Sequence, residues 1–277
     1  MNKTFPSVIV ECMDINAKYE TLKNILQPLE KVVVAYSGGV DSTLLLKACV
    51  DVLGKENVLA LIAASPTYPL KEIHEAQHTA QHIGVEYTVI ETSEMEDNNF
   101  TRNDRDRCYY CKSHLFDVAW EVAKIKGFKH IVEGSNLDDI KDFRPGRKAC
   151  IEKHIISPLM IAKLTKGNIR ELSKSLMLPT FDKPSYACLS SRIPYGTPID
   201  MALLKRIELS EECIKRLGIK QVRVRYHGNV ARIEAMDTEF DKIIENKEKI
   251  AESLKGYGFT YITLDLQGYR TGSMNEA

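Results

Sequence analysis

The chain has 277 residues, 44% of them hydrophobic, which is enough apolar material for a full core in one large unit and a second in a small one. Lys plus Arg and Asp plus Glu both number 38, so the formal net charge is zero; this counts against a protein built to hold a long nucleic acid and favours a small anionic substrate. No apolar run approaches the roughly 18–20 residues that span a bilayer.

The N-terminal stretch MNKTFPSVIVECMDINAKYE has only the short apolar run Val8–Val10 and turns acidic too soon for a signal peptide, so the expected location is the cytoplasm. Seven cysteines in a reducing compartment read as metal, redox or core residues, not as disulfides.

Apolar residues at helical spacing predict a helix over Ile15–Leu29, ending at Gln27-Pro28. The next stretch, VVVAYSGGVDS from Val32 to Ser42, reads as a buried parallel strand running into a glycine-bearing loop. Gly38 and Gly39 let the backbone approach an anion with no Cβ in the way, and Ser37 and Ser42 add hydroxyl donors. Asp41-Ser42-Thr43 opens an apolar helical stripe, so the loop delivers its anion to a helix N-terminus. There is no GxxxxGK[ST] and no lysine where that motif would place one. SGGVDS resembles the PP-loop of the ATP pyrophosphatase superfamily, which implies splitting of ATP to AMP and pyrophosphate.

A helix to about Leu53 stops at Gly54, and Val58–Ala63 is a second buried strand. A helix over Leu70–Ile83 closes at Gly84, and Glu86–Ile90 alternates as a third strand. The order βαβαβ predicts an α/β fold with a doubly wound parallel sheet, whose ligands bind beyond the carboxyl ends of the strands. Ala63–Thr67 is then placed to meet adenine and ribose.

Thr92–Arg107 is polar and charged and is expected to be a mobile loop, with a helix from near Cys111 to about Lys126 and a fourth strand over Lys129–Glu133. Gly134-Ser135-Asn136-Leu137-Asp138-Asp139 repeats the small, polar, acidic pattern of a strand end, which makes Asn136 and Asp138 candidates for the nucleotide site. Arg144–Arg147 is a basic turn, Ile155–Pro158 a short fifth strand, and Lys166–Leu178 a helix. From about Pro198 the pattern changes to a helix over Leu203–Leu217, strands over Gln221–Tyr226 and Val230–Ala235, a helix over Phe240–Leu254 and a strand over Thr260–Leu266. This predicts a smaller C-terminal α+β domain containing an antiparallel hairpin. The expected division is residues 1–195 and 196–277.

Cys108-Tyr109-Tyr110-Cys111 is a CxxC that alone fits zinc, an iron–sulfur cluster, a redox dithiol or coincidence. A structural zinc asks for four ligands, and there is no second CxxC; His114 is a further candidate or a surface residue. Cys188, in the segment between the two domains, is the third candidate thiol, and three thiolates would hold a [4Fe–4S] cluster with one iron open. Cys12, Cys49, Cys150 and Cys213 read as small core residues. Arg223 and Arg225, alternating on one strand, read by themselves as an exposed face.

At RCYYCKSHLF (Arg107–Phe116), EGSNLDDIKDFRPG (Glu133–Gly146), ACLSSRIPYGTPI (Ala187–Ile199) and VRVRYHGNVARIE (Val222–Glu234), together with SGGVDS, the chain resembles the LarE family of ATP-dependent sulfur transferases. The resemblance implies adenylylation of a carboxylate of pyridinium-3,5-biscarboxylic acid mononucleotide, a small-molecule nucleotide substrate, followed by delivery of sulfur for nickel-pincer cofactor synthesis. It implies ATP and Mg2+ at Ser37, Gly38, Gly39, Asp41 and Ser42, with Asp41 the metal ligand. Ser191, Arg192, Arg223 and Arg225 are placed at the substrate phosphate and carboxylates.

Some family members sacrifice a cysteine at the position of Cys188. Others carry the CxxC and a [4Fe–4S] cluster held by three cysteines, and Cys108 and Cys111 place this chain with the second group. The family also implies a homo-oligomer and a sulfur donor. The competing enzyme is a tRNA-thiolating PP-loop protein. Ser135, Ser185-Tyr186 and Ser190 depart from the family's usual residues.

Overall fold

The computed structural model describes residues 14–141, 145–184, 186–270 and 272–275; Val8–Val10, Cys12, Arg144 and Ser185 lie outside them. Helix α1 (Ile15–Leu26) leads into β1 (Val32–Ala35), and α2 (Val40–Leu53), β2 (Val58–Ala64), α3 (Leu70–Ile83) and β3 (Glu86–Glu91) follow. After α4 (Asn98–Thr101) and α5 (Arg107–Lys126), β4 (His130–Glu133) completes a parallel sheet in the order β3-β2-β1-β4.

Alternate residues of these strands serve opposite faces. Val32, Val34, Ala60 and Ile62 pack with Leu44, Leu45 and Ala76, while Val33, Leu59, Leu61 and Ile131 pack with Phe116, Ala119 and Ala123 of α5. Because both faces are covered, β1 reads in sequence as an unbroken apolar run. The chain leaves β1 toward β2 on one side and returns to pair β4 on the other, so the loop after β1 sits at the switch point where α/β sheets open a crevice.

Several local expectations are corrected. Thr92–Arg107 folds as a 3-10 turn, α4 and the start of α5 instead of a mobile loop, because it has its own anchors. Phe100 and Asn103 are buried, and the Asn103 amide donates to the carbonyls of Pro194 and Thr197, both at 2.8 Å. Helix α5 begins at Arg107, which puts the CxxC inside its first turns. The expected fifth strand is a single parallel bridge, Val132 to Ile156, on the way from α6 (Gly146–Glu152) to α7 (Pro158–Ile161); α8 spans Lys166–Ser175.

The second sheet is built from β5 (Val222–His227), β6 (Val230–Ala235) and β7 (Tyr261–Leu264), with α9 (Met201–Lys215) before it. β5 and β6 form the expected antiparallel hairpin around Gly228-Asn229, whereas β7 returns parallel to β6. The predicted helix over Phe240–Leu254 divides at Asn246 into α10 (Phe240–Glu245) and α11 (Lys247–Gly256). This sheet has its own core of Val222, Val224, Ile233, Ile250 and Leu254. A further cluster joins Phe100, Leu189 and Ile193 to Leu203, Leu204 and Ile207, fastening α9 to the segment that carries Cys188. Among the described residues no helix is long and apolar enough to cross a membrane.

Candidate active site

The loop between β1 and α2 closes on itself. Ser37 Oγ and Ser42 Oγ lie 3.1 Å apart, Ser42 Oγ donates to the Gly39 carbonyl at 3.2 Å, and the Tyr36 and Thr43 hydroxyls meet at 3.2 Å beneath it. Gly38 holds φ +70, and a Cβ there would stand 2.7 Å from Ala76 Cβ, so α3 presses against the loop as closely as a glycine allows. Gly134, just past β4, lets that strand end approach Ser42. Asp41 accepts from Asn136 Nδ2 at 3.2 Å and pairs with Lys166 from the first turn of α8. Asp138, exposed, accepts from the Lys166 backbone N–H at 2.8 Å. Ala63 is half-buried at the end of β2.

The three thiols share the carboxyl side of β2 and β3. Cys108 and Cys111, three residues apart on α5, share a helix face. Cys188 precedes a 3-10 turn whose Leu189 N–H donates to the Thr67 carbonyl at 2.8 Å, just beyond β2. Burial pushes the Cys108 thiol up and Cys188 adds to this, while Arg107 and Lys112 pull it back. Cys111 is pushed well up by burial, then by Glu94, Cys188 and Cys108. The neighbouring Tyr68 is raised by burial and then by all three thiols and Glu94.

Among the described residues no three His, Cys, Asp or Glu side chains close around a single metal ion. The thiols act on one another's charge, and His114 pairs with Asp97 at 2.9 Å. All six described cysteines are free; Cys49 and Cys150 are buried and Cys213 is half-buried in α9.

Arg192 is wholly buried. Its Nε and Nη2 make a two-pronged pair with Glu211 at 2.7 and 3.0 Å, and Nη1 donates to the carbonyls of Ala187 and Cys188 at 2.5 and 2.9 Å and to Ser191 Oγ at 3.0 Å. Arg192 thereby ties the Cys188 segment to α9. Arg225 pairs with the buried Glu234 at 2.8 Å and donates to the Ser191 carbonyl at 3.1 Å. Tyr186 sits in a cage of cations, its ring centre 5.2 Å from Arg192, 5.1 Å from Lys215 and 5.2 Å from Arg223. The face predicted to be exposed is therefore turned inward, onto Ser191 and Tyr186.

A family model described as NAD synthase matches residues 15–108, the nucleotide-binding end of the chain. An NH(3)-dependent NAD(+) synthetase of Methanopyrus kandleri is 42% identical over 66 residues, covering 24% of this chain and 23% of that one. An uncharacterized protein of Synechocystis sp. is 40% identical over 94% of this chain and 98% of its own. The pyridinium-3,5-bisthiocarboxylic acid mononucleotide synthase of Lactiplantibacillus plantarum is 34% identical, and the alignment covers 94% of both chains. The chain belongs to the LarE family. As a member of that family it is an ATP-using PP-loop enzyme, and the NAD synthase match marks the part it shares with other users of the loop.

Within this LarE-family framework, sequence reading missed the residues that reach the site from far along the chain. Lys166 is 125 residues from Asp41, and it brings a cation to the first turn of the helix that follows the PP-loop. Glu94 is 1% exposed, takes a hydrogen bond from Ser65 on one oxygen and, among the described residues, has no hydrogen-bond partner on the other. Lys112, next to Cys111, reaches Glu133 at 3.2 Å and so fixes the start of α5 to the end of β4.

Burial opposes the charge of Glu133, but Lys112 and the hydroxyls of Ser157 and Ser135 outweigh it and leave its pKa below the ordinary value. A carboxylate depressed in this way adds stability above its unfolded pKa and loses it as pH falls through the folded one. The urea midpoint is expected to drop as pH is lowered below about 5, and Glu133→Gln to flatten that dependence.

Proposed function

We propose that the chain adenylylates a carboxylate of pyridinium-3,5-biscarboxylic acid mononucleotide and replaces a carboxylate oxygen with sulfur, the reaction class for which the Lactiplantibacillus plantarum relative is named. The observation that carries this reading is the gathering of Cys108, Cys111 and Cys188 on the same carboxyl side of the sheet as the PP-loop. A carboxylate is a poor electrophile. Its oxygen attacks the α-phosphorus, the bond to the β-phosphate breaks and pyrophosphate leaves; sulfide then attacks the acyl carbon, the bond to AMP breaks, and the hydrosulfide proton goes to solvent.

Ser37, Gly38, Gly39 and Ser42 hold the phosphates in this reading, with Ala63, Asn136 and Asp138 flanking the nucleotide. Asp41 supplies one carboxylate to Mg2+, which takes its other ligands from phosphate and water. Lys166 is then released from Asp41 toward the phosphates. Arg223, Arg225 and Ser191 form the acceptor side, and Arg192 acts there through the Cys188 segment. Residues 1–195 carry the ATP chemistry in this division, and 196–277 bring the acceptor arginines Arg223 and Arg225.

The donor set of Cys108, Cys111 and Cys188, three thiols that act on one another's charge, has the all-sulfur chemistry that would hold a [4Fe–4S] cluster. When bound, such a cluster leaves one iron open to hold sulfide. Arg107 and Lys112 favour the thiolate at Cys108, and Arg192 sets where Cys188 stands.

Anaerobic reconstitution is expected to load about four irons per chain, and Cys108→Ala to lose most of that uptake. No iron in the wild type, or equal iron in the variant, would overturn the cluster assignment. A Cys188 peptide lighter by one hydrogen sulfide after turnover would assign the sulfur to Cys188 itself.

A further inference from the structure

The nucleotide loop and the segment bearing Cys188 are about 150 residues apart in sequence, and one side chain joins them. Lys183 stands five residues before Cys188. Its ammonium lies 2.9 Å from Glu72 and 2.9 Å from Glu75, both on α3, and donates to the Gly38 carbonyl at 3.3 Å. Its backbone is held as firmly: Arg170 donates to the carbonyls of Phe181 at 2.8 Å and Lys183 at 2.9 Å. The Lys183 side chain is only 17% exposed, and although burial works against its charge, the two glutamates more than restore it.

Three consequences follow from this placement. The Gly38 carbonyl and the Gly39 N–H belong to one planar peptide and point opposite ways, so a cation fixed on the carbonyl fixes the direction of the donor. Without Lys183, Glu72 and Glu75 would lose their 2.9 Å cation beside an anion site, leaving Glu75 the exposed Lys71 at 3.9 Å. The ammonium also ties loop and helix to the chain that continues to Cys188, whose far side is held by Leu189 on Thr67 and by Arg192.

We propose that Lys183 is a positioning residue that couples ATP at the PP-loop to the placement of Cys188. The proposal rests on the reading that residues 37–42 bind ATP, and it is independent of how sulfur is carried. Coupling of this kind is reciprocal: ATP that orders the loop orders the Cys188 segment, and the reverse.

Hydrogen–deuterium exchange on the full chain, with a non-hydrolysable ATP analogue and Mg2+, tests it. In the wild type the analogue is expected to slow exchange both in residues 37–42 and in residues 186–192. In Lys183→Met the analogue affinity is expected to fall roughly tenfold; at saturation the loop still slows and 186–192 does not. Lys183→Arg, which keeps the charge, retains both effects. Lys183→Met with Glu72→Gln and Glu75→Gln recovers affinity, because the repulsion is gone, without recovering protection of 186–192.

Protection of 186–192 in Lys183→Met equal to the wild type would overturn the proposal, as would a wild type in which only the loop responds. A wild type in which neither segment responds would overturn the ATP reading, and the coupling with it. Unchanged exchange in β1 and β2 of each variant shows that the fold is intact.

Discussion

Arg192→Met is expected to cost about 3–5 kcal/mol of stability and to abolish sulfur transfer. Arg192 is 0% exposed and its partner Glu211 only 2%, so removing the guanidinium strands a carboxylate in the interior. The Val224 N–H at 3.1 Å, Lys215 at 3.8 Å and the nearby charge of Arg223 remain, without the two-pronged pair that Arg192 supplies. The same substitution releases the carbonyls of Ala187 and Cys188, so the two effects have separate origins. Arg192→Met with Glu211→Leu is expected to recover part of the stability, since the stranded carboxylate is gone, although Arg223 and the Val224 N–H lose Glu211 as well. The double variant is not expected to recover transfer, because the Cys188 segment is still untethered. Urea unfolding measures the first effect and thiolated product the second.

Gly38→Ala is expected to lower ATP-dependent turnover about 100-fold and stability by about 1–3 kcal/mol. Alanine is strained at φ +70, and its Cβ would be driven to 2.7 Å from Ala76 Cβ and 3.0 Å from Ala76 Cα. Either the loop or α3 must move, and the loop is the part proposed to hold the anion. Ala76→Gly in the same chain removes the Cβ clash and leaves the backbone strain and the contact with Ala76 Cα. Partial recovery of both quantities is therefore expected, read from AMP release and from the urea midpoint.

The PP-loop was legible in the sequence because every signal for it is local. An apolar strand, two glycines, flanking serines and an acidic first turn lie within eleven residues, Val32–Ser42. The helices after β1 and β2 were legible for the same reason: helical spacing closed by a glycine. The polarity of Thr92–Arg107 suggests mobility, whereas Phe100 and Asn103 bury into partners at 193–204 that no local pattern reveals. The CxxC was visible but ambiguous, and only the fold sets it beside Cys188, Tyr68 and Glu94. Arg192 and Arg225 stand out in the sequence as basic positions, but their partners, Glu211 and Glu234, appear only in the fold. Lys166 and Lys183 carried no sequence signal at all. A lysine 125 or 145 residues from the loop looks like any surface lysine until the chain is folded.

In the proposed function, ATP cleavage at SGGVDS drives sulfur onto a carboxylate of the pyridinium nucleotide. Its most direct measurement is anaerobic incubation of the reconstituted chain with ATP, Mg2+, sulfide and pyridinium-3,5-biscarboxylic acid mononucleotide, with products followed by mass. A product in which a carboxylate oxygen is replaced by sulfur is expected, with one AMP and one pyrophosphate for each replacement. ADP and phosphate in place of AMP and pyrophosphate, or AMP released with no sulfur in the nucleotide, would contradict it.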